Sequence, residues 1–310
     1  MNQSVLIVDG TAVAYRAFYA VRDLATRAGQ PTNALFGFIR MLRQLEAQWR
    51  PDRLVVTFDG GSPAHRLEKC PGYKAQRAPM PDDLRSQLPL INEFLEAAGI
   101  PMILIRGQEA DDVIATLAAR ATAAGMTARL ATSDKDLMQL VDDHVRIVPP
   151  TKTDEELDAA GVVAKTGVRP AQIVDWLALI GDAADNIPGV NGIGPKTATK
   201  LVAQFGSLAA CFGQPEEIES AAVREKLLAG RATAELNVEL MTLDRAVPGV
   251  PAWGEIPAPA PDALRLKAFF EKHELHRFAA ETAGPARPAA PAPAPKPAPS
   301  RPATDQLSLF

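Results

Sequence analysis

Five carboxylates lie in two short clusters near the middle of the chain, at positions 109–112 and 134–136. Two like charges about 4 Å apart repel by roughly 4 kcal/mol at an effective dielectric of about 20, so a fold that keeps such clusters needs a cation within them. Hard oxygen ligands in this number favour Mg²⁺ or Mn²⁺. Two such ions about 3.5–4 Å apart can activate water, orient a phosphate and stabilise the leaving oxygen. The clusters therefore indicate metal-assisted phosphate chemistry.

Four further acids stand where they could join these clusters. Asp9 and Asp59 each end a short apolar run, while Asp182 and Asp185 follow a helical pattern and are three residues apart, so they share one face. Any single acid of this kind is more simply explained as a helix cap or a loop residue. Acids at three strand ends (Asp9, Asp59 and Asp134) together with two clusters are poorly explained in that way. We interpret the whole set as a candidate metal site.

The elements around these acids predict an α/β domain with a parallel sheet. Three apolar runs are typical of buried parallel strands and cover 4–8, 54–58 and 127–132. Helical patterns accompany them at 33–48, 82–98 and 111–124. Ligands of such sheets gather at the carboxyl ends of the strands, where the acids stand. Beyond residue 170 helical segments dominate, and we predict them at 170–180, 195–205, 216–229, 232–243 and 262–273.

A glycine-rich segment at 186–198 follows the second acidic pair directly. Gly192 and Gly194 would let the backbone approach a ligand closely, and the free N–H groups of the helix that starts after them favour phosphate. Lys196 and Lys200 add positive charge on one face. The alternative is an ordinary turn between packed helices. Because no set of base-reading residues is visible, we expect contacts to a nucleic-acid backbone rather than to its sequence.

A basic segment at about 62–100 follows Asp59, and proline and glycine interrupt it repeatedly. Its basic and aromatic residues include Arg66, Lys69, Tyr73, Lys74, Arg77 and Arg85. A solvated surface loop would explain this composition. The functional interpretation is a mobile basic arm beside the metals that attracts and clamps phosphates, with Tyr73 stacked on a base.

Composition narrows the class of protein further. The chain has 310 residues and only two cysteines, Cys70 and Cys211, so a disulfide framework or a zinc site is not expected. The sequence shows no signal-peptide pattern and no apolar run of about 18 residues, which predicts a soluble cytoplasmic protein without membrane contact. The formal net charge is −4 and becomes +5 when nine candidate metal ligands are set aside, so DNA is not excluded as a partner.

The ordered motifs resemble the 5′ nuclease (flap endonuclease) family, and within it the 5′–3′ exonuclease part of bacterial DNA polymerase I. The matching segments are 6–10, 15–18, 32–38, 58–59, 109–112, 133–136, 181–189 and 192–198, and the resemblance covers roughly residues 4–280. It implies a PIN-like parallel sheet with flanking helices, followed by a helix–three-turn–helix region. The sequence departs from the family pattern at Ser133, where glycine is common, and at Cys70 and Pro71 in the arch.

Carried over to this chain, the resemblance implies specific site residues. Metal roles fall on Asp9, Asp59, Glu109, Asp111, Asp112, Asp134, Asp136, Asp182 and Asp185. Catalytic contacts with the scissile phosphate fall on Lys74 and Arg77, with Arg66 at the base of the arch. The predicted DNA-binding residues are Tyr73, Gly192, Gly194, Lys196, Thr197 and Lys200. The family also holds a monovalent cation, usually K⁺, through backbone carbonyls of the glycine-rich hairpin, which here is the segment at 186–198.

The C-terminus carries a different signal. A Pro/Ala-rich stretch at 284–305 cannot build a core and is predicted to be a disordered tether. The residues after it resemble the pentapeptide by which bacterial proteins bind the replication sliding clamp, and the predicted contacts are Gln306, Leu307, Leu309 and Phe310. We thus predict a nuclease domain at 1–169, a helical DNA-binding region at 170–280, the tether, and a clamp-binding peptide at 306–310.

The leading hypothesis is a standalone, monomeric 5′–3′ exonuclease and flap endonuclease that hydrolyses DNA with two divalent ions during primer removal and repair. One alternative is a DNA-binding module that marks flaps or junctions without cutting them. Another is an RNA-processing nuclease of the related PIN-like group, which the hairpin and the clamp-like tail disfavour. No residues follow the tail that could form a polymerase part.

Overall fold

A five-stranded parallel sheet forms the centre of the first half of the chain. The computed structural model describes residues 3–283, so the predicted tether and clamp-binding peptide lie outside the described residues. The strands are β1 (Ser4–Asp9), β2 (Arg53–Phe58), β3 (Met102–Leu104), β4 (Thr127–Ala131) and β5 (Val145–Val148). Their order in the sheet is β3-β2-β1-β4-β5, and every pair is parallel. The strand that ends in Asp9 therefore lies in the middle.

Helices surround this sheet and continue after it. In the first half they are α1 (Gly10–Ala20), α2 (Asn33–Trp49), α3 (Ala64–Lys69), α4 (Asp82–Arg85), α5 (Leu88–Ala97), α6 (Ala110–Ala123) and α7 (Ala159–Thr166). The later ones are α8 (Ile173–Ile180), α9 (Pro195–Phe205), α10 (Leu208–Gly213), α11 (Ala221–Ala229), α12 (Arg231–Met241), α13 (Ala263–Lys272) and α14 (His276–Ala283). No helix within residues 3–283 combines the length and the apolar composition needed to cross a membrane.

Three 3-10 helices and a small hairpin complete the secondary structure of the described residues. The 3-10 helices are Asp136–Leu140, Pro170–Gln172 and Pro215–Glu217. The hairpin pairs β6 (Gly181–Asp182) with β7 (Ile187–Pro188) in antiparallel register. The predicted fold, a parallel α/β sheet with flanking helices and a helical region after it, is confirmed.

The sheet is buried on both faces because successive residues of each strand point to opposite sides. Val5 and Ile7 of β1 join a core that contains α6, whereas Leu6 and Val8 join a second core that contains α1 and α2. A continuous apolar run is the sequence pattern that such two-sided burial requires. The carboxyl ends of the strands remain the open edge at which polar groups can meet.

Proline and strand length explain where the predicted elements differ from the observed ones. The helix predicted at 82–98 is two helices, α4 and α5, because Pro89 lies in the first turn of α5 and cannot continue a helix from α4. The helix predicted at 216–229 is a short 3-10 turn followed by α11, which begins after its Ser220 cap. Strands β3 and β5 were not predicted, since they contain only three and four residues.

The basic segment packs against the rest of the protein through an inner side that the sequence did not predict, and the mobility of this arm stays a prediction. Arg66, Tyr73, Leu84, Ile91 and Phe94 are each no more than 5% exposed. The segment therefore has a fixed inner side, and only its outer residues are free to meet a ligand. The cationic side chains of this segment therefore differ in whether they are buried or exposed.

The last two helices of the described residues, α13 and α14, return to the α/β sheet. The proline-rich segment 248–261 crosses the protein surface and is anchored by Trp253, whose Nε1 donates a hydrogen bond to the Leu117 carbonyl (3.0 Å). Phe269, Phe270 and Phe278 of α13 and α14 then complete the core beneath α2 and α5. The division into a domain at 1–169 and a region at 170–280 stays a prediction.

Candidate metal centre and nucleic-acid interface

The central strand positions the first acid of the site. Asp9 ends β1 and caps α1, since the Ala12 N–H donates to its Oδ1 (2.9 Å). The Thr132 hydroxyl donates to its Oδ2 (3.1 Å) from the end of β4. The side chain is 5% exposed. Asp9 is therefore held by two neighbouring elements and cannot turn away from the acids beside it.

The next strand brings in the start of α6. Asp59 follows β2, and its Oδ1 accepts a hydrogen bond from the Ala110 N–H (2.9 Å) at the first residue of α6. This contact places Asp111 among the strand-end acids. Burial and the charges of Asp134, Asp9 and Asp59 raise the pKa of Asp111 well above its ordinary value. The first acidic group consists of Asp9, Asp59, Asp111 and Asp134.

A second acidic group lies on the other side of Asp134. One oxygen from each of Asp136, Asp182 and Asp185 lies within 4.8 Å of the others. The Asp136 N–H donates to Asp134 Oδ1 (2.9 Å), which joins the two groups. The hairpin of β6 and β7 supplies two members of this group, because Asp182 and Asp185 lie at its turn. The second acidic group is thus built from two distant segments.

The electrostatics and the donor set fit divalent cations. Burial, followed by the Asp59 and Asp134 charges, raises the pKa of Asp9 to about 7. Burial, followed by Asp134 and Asp182, raises the pKa of Asp136 to about 8. Asp136 Oδ1 is buried and has no hydrogen-bond partner. Carboxylates that repel one another and leave an oxygen unsatisfied are the ligands that a hard divalent ion would stabilise.

The structure does not bring Asp112 into either acidic group. Both of its oxygens are taken by Arg66, at 2.6 and 2.8 Å, and Oδ1 also accepts the Asp244 N–H (2.9 Å). Asp112 is fully buried. The resemblance implied a metal role for this residue, but its acceptor positions point to the guanidinium. We assign it the role of holding Arg66.

Arg66 is likewise not placed to touch a phosphate. It is 2% exposed, and its guanidinium also contacts Glu109 Oε2 (2.6 Å) and the Leu240 carbonyl (3.0 Å, through Nε). The prediction that it belongs to the catalytic set is corrected: Arg66 is a positioning residue. It fixes Glu109 and Asp112 at the start of α6 and ties them to the end of α12.

The turn at 72–77 carries the cations nearest to the acids. Lys74 Nζ lies 2.6 Å from Glu109 Oε1 and 3.7 Å from Asp185 Oδ2, and the Lys74 N–H donates to the Asp185 carbonyl (2.9 Å). Arg77 forms an ion pair with Asp185. The turn is held further by Asn186, whose Nδ2 donates to the Gly72 carbonyl (2.7 Å). Lys74 and Arg77 therefore lie at the edge of the second acidic group.

The ring of Tyr73 is enclosed by protein and not available for stacking on a base. It is 5% exposed, and its ring lies in the core. Its hydroxyl lies 2.9 Å from Glu109 Oε2 and 3.2 Å from Asp185 Oδ2, and its single proton can be donated to either carboxylate. The predicted base contact was wrong because the ring faces inward. Tyr73 instead links the basic turn to the two acids.

The glycine-rich hairpin lies next to the second acidic group and presents an exposed basic surface. Gly192 has φ +75°, and a Cβ there would meet the Lys226 side chain at 2.8 Å. Lys196 and Lys200 are exposed on α9, whose first turn includes Thr197. The sequence predicted these hairpin residues but not Lys226. It comes from α11, and no local motif marks it.

Two other contacts of the site, made by Lys135 and Thr132, were not predicted from the sequence. Lys135 Nζ approaches Asp182 Oδ2 (3.3 Å), and the Thr132 hydroxyl accepts the Asp134 N–H (3.1 Å). Both residues stand within or beside the 133–136 motif. Their proximity to the acids in sequence was the available signal. Lys135 partly offsets the charge of the second acidic group from its exposed side.

The raised carboxyl pKa values predict that the metal-free protein loses stability as the pH rises. An unfolded aspartate has a pKa of about 3.9, so a folded pKa of about 7 for Asp9 and about 8 for Asp136 favours folding at low pH and disfavours it as the pH passes through these values. We expect the free energy of unfolding in EDTA to fall by about 2 kcal/mol or more from pH 6 to pH 9. Urea unfolding followed by circular dichroism measures this, and an Asp136→Asn variant should show a flatter profile. If the free energy of unfolding of the wild type did not change between pH 6 and pH 9, the raised pKa values of these carboxylates would be contradicted.

Removing the Arg66 guanidinium should leave the Asp112 carboxylate buried without a counter-charge. We expect Arg66→Met to lower the free energy of unfolding by about 3–5 kcal/mol. Adding Asp112→Leu should recover part of the loss, because no buried charge is then left unpaired. Lys69→Met is the matched control, since Lys69 pairs with Glu239 at the surface and its loss should cost less than about 1 kcal/mol. Equal stability of Arg66→Met and Lys69→Met in urea would rule out the positioning role.

Comparison with known proteins identifies the family to which the chain is similar. Residues 4–167 match the family described as 5′-3′ exonuclease, N-terminal resolvase-like domain, and residues 168–263 match 5′-3′ exonuclease, C-terminal SAM fold. A 5′-3′ exonuclease of Aquifex aeolicus is 38% identical over 273 residues, which cover 88% of this chain and 93% of that protein. The thermostable DNA polymerase I of Thermus aquaticus is 39% identical over 279 residues and 88% of this chain, but the match covers only 33% of the polymerase.

A solved structure agrees with this assignment at the level of the fold. The flap endonuclease of bacteriophage T5, solved as a pseudo-enzyme-product complex with DNA and metal ions, superposes with a TM-score of 0.65 at 22% identity. The superposition covers 90% of this chain and 98% of that one. The two family matches together account for most of the chain, and the Aquifex relative is similar over nearly its whole length. This chain therefore belongs to the 5′–3′ exonuclease family and is a nuclease.

Proposed function

We propose that the protein hydrolyses DNA phosphodiesters at 5′ ends and 5′ flaps, in primer removal and repair, with two divalent ions. The observation that carries this proposal is the meeting of two parts in one loop. Asp182 and Asp185 belong to the second acidic group and also lie in the turn that leads into the glycine-rich hairpin. Chemistry at the acids is thereby linked to backbone binding at the hairpin. The T5 relative, described with DNA and metal ions, supports the same combination.

The two acidic groups supply the proposed metal ligands. Asp9, Asp59, Asp111 and Asp134 would hold one ion, while Asp136, Asp182 and Asp185 would hold the other, with Mg²⁺ or Mn²⁺ favoured by the all-oxygen donor set. When bound, such ions activate water and stabilise the leaving oxygen of a phosphodiester. The Asp136 N–H bond to Asp134 fixes the spacing of the groups. Glu109 would act from outside, since its oxygens are occupied by Arg66, Tyr73 and Lys74.

Lys74 and Arg77 are the proposed phosphate-binding cations. The Arg77 side chain is 51% exposed, so its guanidinium retains N–H donors for an incoming phosphate. Lys74 is 15% exposed and is fixed by Glu109 and Asp185 at the inner side. Both would orient the phosphate and stabilise negative charge that develops on its oxygens. They are held to the second acidic group before substrate arrives, so little reorganisation is needed.

The hairpin and its surroundings form the proposed grip on duplex DNA. Gly192 and Gly194 allow close approach of a phosphate backbone, and Thr197 lies in the first turn of α9. The exposed amino groups of Lys196, Lys200 and Lys226 add counter-charges. A K⁺ ion bound by hairpin carbonyls, as the family resemblance implies, belongs to the same proposal.

A flap assay tests the metal ligands directly. The wild-type protein should cleave a 5′-labelled flap duplex in Mg²⁺ or Mn²⁺, and EDTA should abolish product. Asp134→Asn combined with Asp136→Asn should lower kcat/KM by more than about 100-fold, because metal affinity and ligand charge are lost together. Undiminished cleavage by this double variant would refute the metal assignment.

Binding without cleavage provides the control for this assay. In EDTA the double variant should bind the flap duplex as well as or better than wild type, since the substitutions remove acidic groups but no cation from the DNA-facing site. Lys226→Ala should weaken that binding and reduce its dependence on salt by about one phosphate contact. Binding that persists while no metal ion ever yields product would identify a non-cleaving DNA-binding module.

The clamp-binding peptide is proposed from the sequence alone. Gln306, Leu307, Leu309 and Phe310 form a short apolar motif after a Pro/Ala-rich stretch, a pattern suited to a pocket on a partner. Deletion of 306–310 should abolish binding to a bacterial sliding clamp in surface plasmon resonance. Cleavage of free oligonucleotides should be unchanged, because tethering raises local concentration without altering the active site. Equal clamp affinity of the truncated protein would disprove this role.

A further inference from the structure

Cationic side chains are distributed unevenly over the two acidic groups. Lys135 contacts Asp182 of the second acidic group. Lys74 and Arg77 contact Asp185 of the same group. None of the ion pairs within residues 3–283 involves an acid of the first acidic group. The protein's own cations therefore offset part of the repulsion in the second acidic group, and a divalent ion would compete with them there.

The side chain of Lys135 reaches from the 133–136 motif to the hairpin. Its Nζ lies 3.3 Å from Asp182 Oδ2, while Asp182 Oδ1 accepts a hydrogen bond from the Ala184 N–H (2.9 Å). The Lys135 side chain is 40% exposed, whereas that of Asp182 is 11% exposed. The ammonium group thus approaches the acids from the solvent side. Both oxygens of Asp182 are engaged by protein donors, so an ion that uses this ligand must share it.

Lys135 belongs to the acidic motif itself and not to the basic segment. Lys74 and Arg77 lie in the turn at 72–77 and are the proposed phosphate-binding cations. Burial raises the pKa of Asp134 and of Asp136, and the positive charge of Lys135 opposes this shift at both carboxyls. The charge of Lys135 therefore acts on the acids on either side of it in sequence as well as on Asp182.

We propose that Lys135 is an internal counter-ion that sets the affinity of the second acidic group for its divalent ion, an inference that rests on the proposed function. In the metal-free protein the ammonium group offsets repulsion among Asp136, Asp182 and Asp185. The same charge repels a bound cation, and Asp182 is shared between the two. A single and a double charge about 6 Å apart in water repel enough to change a dissociation constant about tenfold. Lys135 is thus a positioning residue that stabilises the metal-free site and weakens ion binding.

The test measures ion binding and stability instead of cleavage. Lys135→Met removes the charge and keeps an unbranched side chain, while Lys135→Arg keeps the charge. Lys272→Met is the matched control, because Lys272 is 60% exposed and pairs with Glu93, which is outside both acidic groups. Isothermal titration of each full-length protein with Mn²⁺, at pH 8.5 under nitrogen, gives the dissociation constants. The high pH limits competition from protons. Thermal unfolding in EDTA and in Mn²⁺ gives the stability.

We expect Lys135→Met to bind the weaker of two Mn²⁺ ions about tenfold more tightly than wild type, with less than about twofold change for the other ion. Its Tm should be lower than that of wild type in EDTA, but Mn²⁺ should raise its Tm by more, because tighter binding adds stability. A purely structural role would lower the Tm equally in both buffers. Lys135→Arg and Lys272→Met should bind Mn²⁺ as wild type does.

Unchanged or weaker Mn²⁺ binding by Lys135→Met would overturn the counter-ion role. Equal tightening by Lys272→Met would overturn it as well, because the effect would then come from net charge and not from the contact with Asp182. A wild-type protein that binds no Mn²⁺ would instead overturn the metal assignment of the proposed function.

Discussion

Repulsion among carboxylates at the carboxyl edge of the sheet is the constraint around which the remaining elements are arranged. The acids can approach one another only because their free oxygens receive backbone N–H groups at the starts of helices, Ala12 of α1 for Asp9 and Ala110 of α6 for Asp59. Helix N-termini carry partial positive charge, so these contacts offset part of the repulsion. They do not remove it, since the pKa values of Asp9, Asp111 and Asp136 remain raised. The residual repulsion is the physical reason for the proposal that this site binds cations.

Two kinds of cationic side chain, one buried and one partly exposed, offset the repulsion among the carboxylates. Arg66 is fully enclosed, and its donors are satisfied by Asp112, Glu109 and carbonyls at the end of α12. Such a group cannot leave its partners without exposing buried charges, so it serves as a fixed part of the scaffold. Lys74 and Arg77 lie farther out and retain solvent contact. Buried and solvent-accessible cations thus occupy successive depths of one basic segment, and only the outer ones keep donors that face solvent.

The sequence could predict the parts of the site that follow from local rules. Asp9, Asp59 and Asp134 stand directly after apolar runs, and the geometry of a parallel sheet brings such positions together. The hairpin with Gly192 and Gly194 carries its own conformational signal. The sequence could not predict that Asp112 faces Arg66, because this depends on a contact between residues 46 apart and on the packing of α12. The sequence likewise could not predict that the Tyr73 ring faces the core or that Lys226 lies beside the hairpin. In each case the side chain's direction is set by tertiary packing rather than by its neighbours in sequence.

The return of α13 and α14 to the α/β sheet has a consequence for synthesis on the ribosome. Their phenylalanines cover α2 and α5, so the second core is incomplete until residues near 283 have left the exit tunnel. Domains generally fold as units and begin to fold during translation, but here a core that starts with β1 is closed by the last described helix. Until α13 and α14 emerge, the apolar side chains that they cover on α2 and α5 lack these partners. The acids of the sheet edge, the last of which is Asp185, are therefore all synthesised well before the helices that complete the second core.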